Sequence, residues 1–139
     1  MAHAVDRVVV HVDGGARGNP GPAGIAAVAT GVGGETLREE NAYIGEATNN
    51  VAEYRALLLG LEVAEGLGAR EVDVVCDSQL VARQVGGQYR VKHPALRALY
   101  QDAMAGLARF DRWSVRDVRR ERNRRADELV NEAIDAALG

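Results

Sequence analysis

One stretch constrains this chain more than any other. Val8-Val9-Val10-His11-Val12 leads into Asp13, and Gly14-Gly15-Ala16-Arg17-Gly18-Asn19-Pro20-Gly21-Pro22-Ala23-Gly24 follows. Valines at this density read as a buried strand, and the Gly/Pro run as the turn after it. An ionised carboxylate at the end of such a strand is costly unless a cation or a cradle of hydrogen-bond donors answers it. Asp13 therefore demands a partner, since neither a helix cap nor a helix dipole accounts for an acid in that place.

The composition narrows what the partner can be. With 139 residues, 47% of them hydrophobic, the sequence has the size and apolar content of a single domain, 1–139, that builds its core without disulfides. The lone cysteine, Cys76, excludes an internal disulfide framework and a cysteine-rich zinc module, and it fits a reducing, cytoplasmic setting. The first seven residues lack a basic segment followed by a long apolar run, and no window reaches membrane-spanning length, so a soluble protein without membrane contact is predicted. A formal charge of −3 argues against indiscriminate attraction to polyanions but leaves room for a local basic face.

Several residues read blandly. His3, His11 and His93 lack metal-ligand spacing and are expected to be structural or surface residues. The glycines of 18–24 miss the dinucleotide-binding pattern, because the second falls at the wrong offset and a strand follows instead of a helix. No organic cofactor is expected. Ser78 has no partners marking a hydrolase triad, and Cys76 reads as a small core residue.

Periodicity predicts strands at 5–12, 23–30 and 35–44, a buried helix over 50–65, a strand at 72–76, helices at 78–85 and 94–110, a strand at 113–118 and a closing helix over 123–138. Short early connections imply an antiparallel meander, and helical crossovers imply parallel strands later. The expected fold is α/β: a mixed five-stranded sheet flanked by helices. A right-handed crossover through the 50–65 helix sets the fourth strand beside the first, with Asp13 and Asp77 projecting from neighbouring strand ends.

Three further acids have ordinary explanations when taken singly. Asn50-Val51-Ala52-Glu53 has capping-box spacing, Asp77 or Ser78 sits where a helix begins, and Asp127 complements a helix dipole. Asp13 changes their weight, because Glu53 and Asp127 lie in helix starts that can pack over the two strand ends. Converging carboxylates repel unless protons or multivalent cations intervene, and an all-oxygen set suits Mg²⁺ or Mn²⁺. Two such ions support in-line phosphoryl displacement. The basic run Arg119-Arg120-Glu121-Arg122-Asn123-Arg124-Arg125 opposes the dipole of the helix it enters, which points to phosphate contacts or to a solvated surface. Asn19, Thr48, Asn49, Asn50 and Gln79 are neutral hydrogen-bonding residues near the acids; they suit reading a ribose 2′-hydroxyl or, equally, turns and caps.

Taken in order, Val12-Asp13-Gly14-Gly15 with Gly18-Asn19-Pro20-Gly21-Pro22-Ala23-Gly24, Ala47-Thr48-Asn49-Asn50-Val51-Ala52-Glu53, Cys76-Asp77-Ser78-Gln79 and Asn123-Arg124-Arg125-Ala126-Asp127-Glu128-Leu129 resemble type 1 ribonuclease H across nearly the whole chain. The resemblance implies the ribonuclease H-like fold and an endonuclease that cuts the RNA strand of RNA/DNA hybrids with two Mg²⁺ ions, leaving 5′-phosphate and 3′-hydroxyl ends. It places Asp13, Glu53, Asp77 and Asp127 on the metal-binding acids. Asp13 is shared by both ions, Asp127 is on the side of the attacking water, and Glu53 with Asp77 is on the leaving-group side. By the same resemblance Asn19, Asn49, Asn50 and Gln79 contact the minor groove and Thr48 lies near a DNA phosphate. Arg119, Arg122 and Arg124 are the expected phosphate contacts, and a monomer is expected.

Two departures stand out. Many relatives carry a histidine in the loop before the last acid; here Val118-Arg119-Arg120-Glu121-Arg122 has none, and Arg120 is the candidate replacement. The connection Gly86-Gly87-Gln88-Tyr89-Arg90-Val91-Lys92-His93 is too short for the basic, tryptophan-bearing protrusion of some members. The rival readings are a hybrid-binding module without turnover and a nuclease of the same fold acting on another nucleic acid.

Overall fold

The computed structural model describes residues 5–139, so the expectation for His3 lies outside the described residues. In chain order the elements are β1 (Arg7–Ala16), β2 (Gly21–Thr30), β3 (Thr36–Ala47), α1 (Asn49–Gly66), β4 (Glu71–Cys76), α2 (Gln79–Val85), α3 (Pro94–Leu107), β5 (Arg112–Asp117), a 3-10 turn (Arg120–Arg122) and α4 (Arg124–Leu138). One sheet runs β3-β2-β1-β4-β5. Its first three strands are antiparallel, and β1, β4 and β5 are parallel, as the short and helical connections predict.

Alternation along β1 and β2 divides the core between two faces. Val8, Val10, Val12, Ile25 and Ala27 pack with α1, α2 and α3 on one side, while Ala26 and Val28 meet Ala126, Leu129, Val130 and Ile134 of α4 on the other. The α4 residues recur at the spacing of one helical stripe, and burying each large aliphatic among them is worth about 1.5–3 kcal/mol. Helix α1 lies tightly against β1. At Gly60 a Cβ would meet the Val12 Cγ1 at 2.5 Å and the Val10 Cγ1 at 3.0 Å, so that glycine is a close-approach residue.

The boundaries differ from the sequence reading in one place that matters. β1 does not end at Val12; it continues to Ala16, because β2 keeps pairing with it through Asp13↔Ala26, Gly14↔Ile25, Gly15↔Gly24 and Ala16↔Ala23. On the other side the parallel ladder to β4 stops at His11↔Val75. Asp13 thus sits inside one strand pair and just beyond the end of another. The 3-10 turn before α4 had no counterpart in the sequence reading, and α3 ends at Leu107, short of the predicted Phe110.

Candidate active site

The end of the β1–β4 ladder opens a crevice at the carboxyl ends of adjacent parallel strands, the usual place for a site in such a sheet. An open cleft of about 400 Å³ there is lined by Asp13, Glu53, Asp77, Asp127, Arg120 and Asn49, with Arg17 and Asn131. All four acids singled out in the sequence therefore face one space, and Arg120 joins them.

Each acid is placed by a local feature. Asp13 is 8% exposed within β1. Glu53 reaches the same cleft because the residue after Asp13 in β1 is Gly14: a Cβ there would collide with the Ala52 carbonyl, so only glycine lets α1 come this close. Asp77 follows the last residue of β4, and the N-cap of α2 is Ser78, whose hydroxyl accepts from Val81 N–H at 3.1 Å, which leaves the Asp77 carboxylate uncommitted to capping. Asp127 is in the first turn of α4. The capping-box expectation for Asn50 and Glu53 is corrected: α1 begins one residue earlier and Thr48 is its cap, accepting from Val51 N–H at 3.3 Å. Glu53 consequently lies past the first turn and is free of the cap.

Electrostatically the cleft is overloaded. Asp13 is pushed up to about 8, chiefly by burial and then by Asp77 and Asp127, whose carboxyls are near enough to share its proton. Glu53 is also raised by burial; the Ser78 hydroxyl opposes this, Asp77 adds to it, and Arg120 opposes it more weakly. Positive charge is scarce. Arg120 Nε stands 3.7 Å from the Asp77 carboxylate on a largely exposed side chain, and Arg17 is held by Asp135 at 2.7 Å. The donor set is all oxygen and its charge lacks a counter-charge, which fits hard divalent cations. Among the described residues, however, no three His, Cys, Asp or Glu side chains already form a cage around one point.

Comparison with known proteins places the chain as a whole. The family described as reverse transcriptase-like matches residues 11–133. The bifunctional protein Rv2228c of Mycobacterium tuberculosis is 51% identical over 132 residues, covering 94% of this chain and 36% of its own length. Ribonuclease HI of Halobacterium salinarum is 44% identical over 131 residues, covering 94% of this chain and 66% of its own. The crystal structure of LC11-RNase H1 in complex with RNA/DNA hybrid superposes with a TM-score of 0.91 at 47% identity, over 95% of this chain and 99% of that one. The chain belongs to the ribonuclease H family. It spans about a third of the length of the mycobacterial relatives it matches.

Within this ribonuclease H domain the remaining predicted residues divide. Asn49 Oδ1 accepts from Ala16 N–H at 2.8 Å, and Asn19 Oδ1 accepts from Asn49 N–H at 3.0 Å, so the two asparagines stitch the β1–β2 turn to the start of α1. Their side-chain NH₂ groups remain for other partners. Asn19, Thr48, Asn50 and Gln79 are exposed around the cleft's surroundings without lining it. Arg119 and Arg122 border a separate depression with Arg116, and Arg124 is exposed. The last arginine of the basic run, Arg125, is engaged by Glu39, Glu128 and Glu132 and is not available to phosphate.

The bland readings mostly hold. Cys76 is buried, with its thiol pushed up to about 12 mainly by burial. His93 caps α3 by accepting from Ala95 N–H, and His11 is half-buried, its basicity lowered by burial and by Arg116. Sequence reasoning missed Arg17, Asn131 and Asn123. Asn131 donates to the Asp127 carbonyl at 3.1 Å and receives Arg17 Nη2 at 3.2 Å, linking the turn after β1 to α4. Its position four residues after Asp127 on the same helix face was the available signal.

Proposed function

We propose that this domain hydrolyses the RNA strand of RNA/DNA hybrids, leaving 5′-phosphate and 3′-hydroxyl ends. The observation that carries the reading is the cleft itself: four carboxylates without adequate counter-charge at the mouth of a parallel-strand crevice. A binding-only module gains nothing from such charge facing a polyphosphate. A relative with the same fold was crystallised with RNA/DNA hybrid, which supports the choice of substrate.

Asp13, Glu53, Asp77 and Asp127 are the residues that would hold two Mg²⁺ ions, with Mn²⁺ as an alternative. When bound, such ions supply an activated water and charge stabilisation for the leaving oxygen. The chain's own groups do the rest. The NH₂ groups of Asn19 and Asn49, with Asn50 and Gln79, offer hydrogen bonds to ribose and base edges in a minor groove. Thr48 and Arg119, Arg122 and Arg124 offer contacts to phosphates. Arg120, at the cleft edge beside Asp77, takes the place of the loop histidine and helps protons or product leave. The domain works as a monomer in the cytoplasm; among the described residues no helix is long and apolar enough to cross a membrane.

The test compares uniformly labelled RNA/DNA hybrid, double-stranded RNA, double-stranded DNA and single-stranded RNA, each with and without Mg²⁺. Cleavage confined to the hybrid and dependent on the cation is the expected result. Cleavage of another nucleic acid, or hybrid binding without turnover, contradicts it.

A further inference from the structure

We propose that Asn123 is a positioning residue that sets the separation of Asp13 and Asp127. The inference rests on the reading that these two acids hold divalent cations. Asn123 is 1% exposed, although residues 119–122 and 124–125 around it are exposed. Its Nδ2 donates to the Val12 carbonyl at 2.8 Å, across 111 positions of sequence. Val12 is the residue before Asp13, and it lies one step beyond the last β1–β4 pair, His11↔Val75. The side chain therefore supplies a donor to β1 where the neighbouring strand has stopped supplying them, at the point where the crevice opens. Its own carbonyl accepts from Asp127 N–H at 3.1 Å. One buried residue thus holds the backbone before one acid and the backbone amide of the other.

Two details argue that this is more than packing. Asn at this position is ordinarily an N-cap, yet the Asn123 side chain makes no cap bond to α4, so its amide has been diverted from the local role that most stabilises a helix start. Its Oδ1 is the one buried side-chain oxygen or nitrogen without a partner among the described residues. A buried acceptor left unmet is unfavourable, and an apolar side chain of the same volume would avoid the penalty. The group tolerated at that cost is the Nδ2 donor, and what the donor fixes is the strand carrying Asp13.

The test uses Asn123→Ala and Asn123→Leu, the second keeping most of the volume while losing the donor. Leu107→Ala serves as a control: Leu107 is fully buried in the core on the other face of the sheet, so its loss destabilises without touching the cleft. Binding of Mn²⁺ alone is measured by calorimetry on folded protein, and hybrid cleavage is followed in parallel. Both Asn123 variants are expected to weaken cation binding by about tenfold or more, the scale seen when an outer support of a metal ligand is lost. They should lower kcat while leaving KM for the hybrid unchanged, and Leu107→Ala should lower the Tm while leaving cation affinity unchanged. Cation affinity and kcat within about twofold of the unmodified protein in both Asn123 variants would overturn the inference and leave the cation reading intact. If the unmodified protein itself binds no Mn²⁺, the cation reading fails and takes this inference with it.

Discussion

Two groups of acids flank the start of α4, and they are solved in opposite ways. On the outer side, Arg125 donates to both Glu39 oxygens at 2.8 and 3.0 Å and reaches Glu128 at 3.1 Å and Glu132 at 3.7 Å. Hydrogen bonding from Arg125 holds Glu39 below the usual carboxylate range, and the arginine is raised in turn. On the inner side, Asp13 lies beside Asp77 and Asp127, the largely exposed Arg120 stands 3.7 Å from Asp77 alone, and Asp13 rises to about 8. A fixed side-chain cation lowers Glu39 and ties the surface acids to one guanidinium. Acids without such a fixed partner retain unneutralised charge that a mobile cation can offset.

The largest effect is expected from Asp13→Asn: cleavage of a labelled hybrid should fall by about 10²–10³-fold or more, while the fold persists and the metal-free protein melts at higher temperature because the cost of protonating or ionising that buried carboxyl is gone. Near-normal turnover would remove Asp13 from the mechanism. Next, replacing Arg119, Arg122 and Arg124 together by alanine should weaken hybrid binding and reduce the slope of log affinity against log salt by about two to three. An unchanged slope would assign these arginines to solvent.

The pH dependence follows from Asp13. Its folded-state value, about 8, lies above the unfolded value of 3.8, so between those values the folded state holds the proton that the unfolded state has released. Stability of the metal-free protein therefore falls as pH rises from about 4 to about 8 and shows no such penalty below that window; saturating Mg²⁺ should flatten the fall. A metal-free melting temperature that rises across the window contradicts the assignment. Arg120→Ala should slow turnover several-fold with cation binding retained. The smallest effect belongs to Arg125→Ala, which should leave cleavage rates unchanged and shift stability only slightly, since its partners are solvent-exposed.

The sequence made the acids legible because valine runs, turn residues and capping patterns put each beside an apparent element boundary, even though Asp13 lies inside β1 and Glu53 past the first turn of α1, and the strand order followed from connection lengths. What stayed hidden depended on partners far away in the chain. Gly14 and Gly15 carry no side-chain periodicity, so β1 seemed to stop at Val12; pairing with β2 carries it on. Thr48 and Asn50 are both good caps, and the choice between them depends on where β3 delivers the chain. Arg125 looks like its neighbours until Glu39, 86 positions earlier, folds against it. Asn123 reads as part of a charged run and is in fact buried, for a bond to Val12 that no local pattern announces.

Whether a divalent cation answers the charge of the cleft is tested by the thermal melt of metal-free protein at pH 8 titrated with Mg²⁺, for the unmodified chain beside Asp13→Asn. The unmodified protein should start at the lower Tm and rise with added cation, while Asp13→Asn should start higher and respond weakly. A Tm of the unmodified protein that is indifferent to Mg²⁺, or an Asp13→Asn variant that responds equally, would contradict the cation reading.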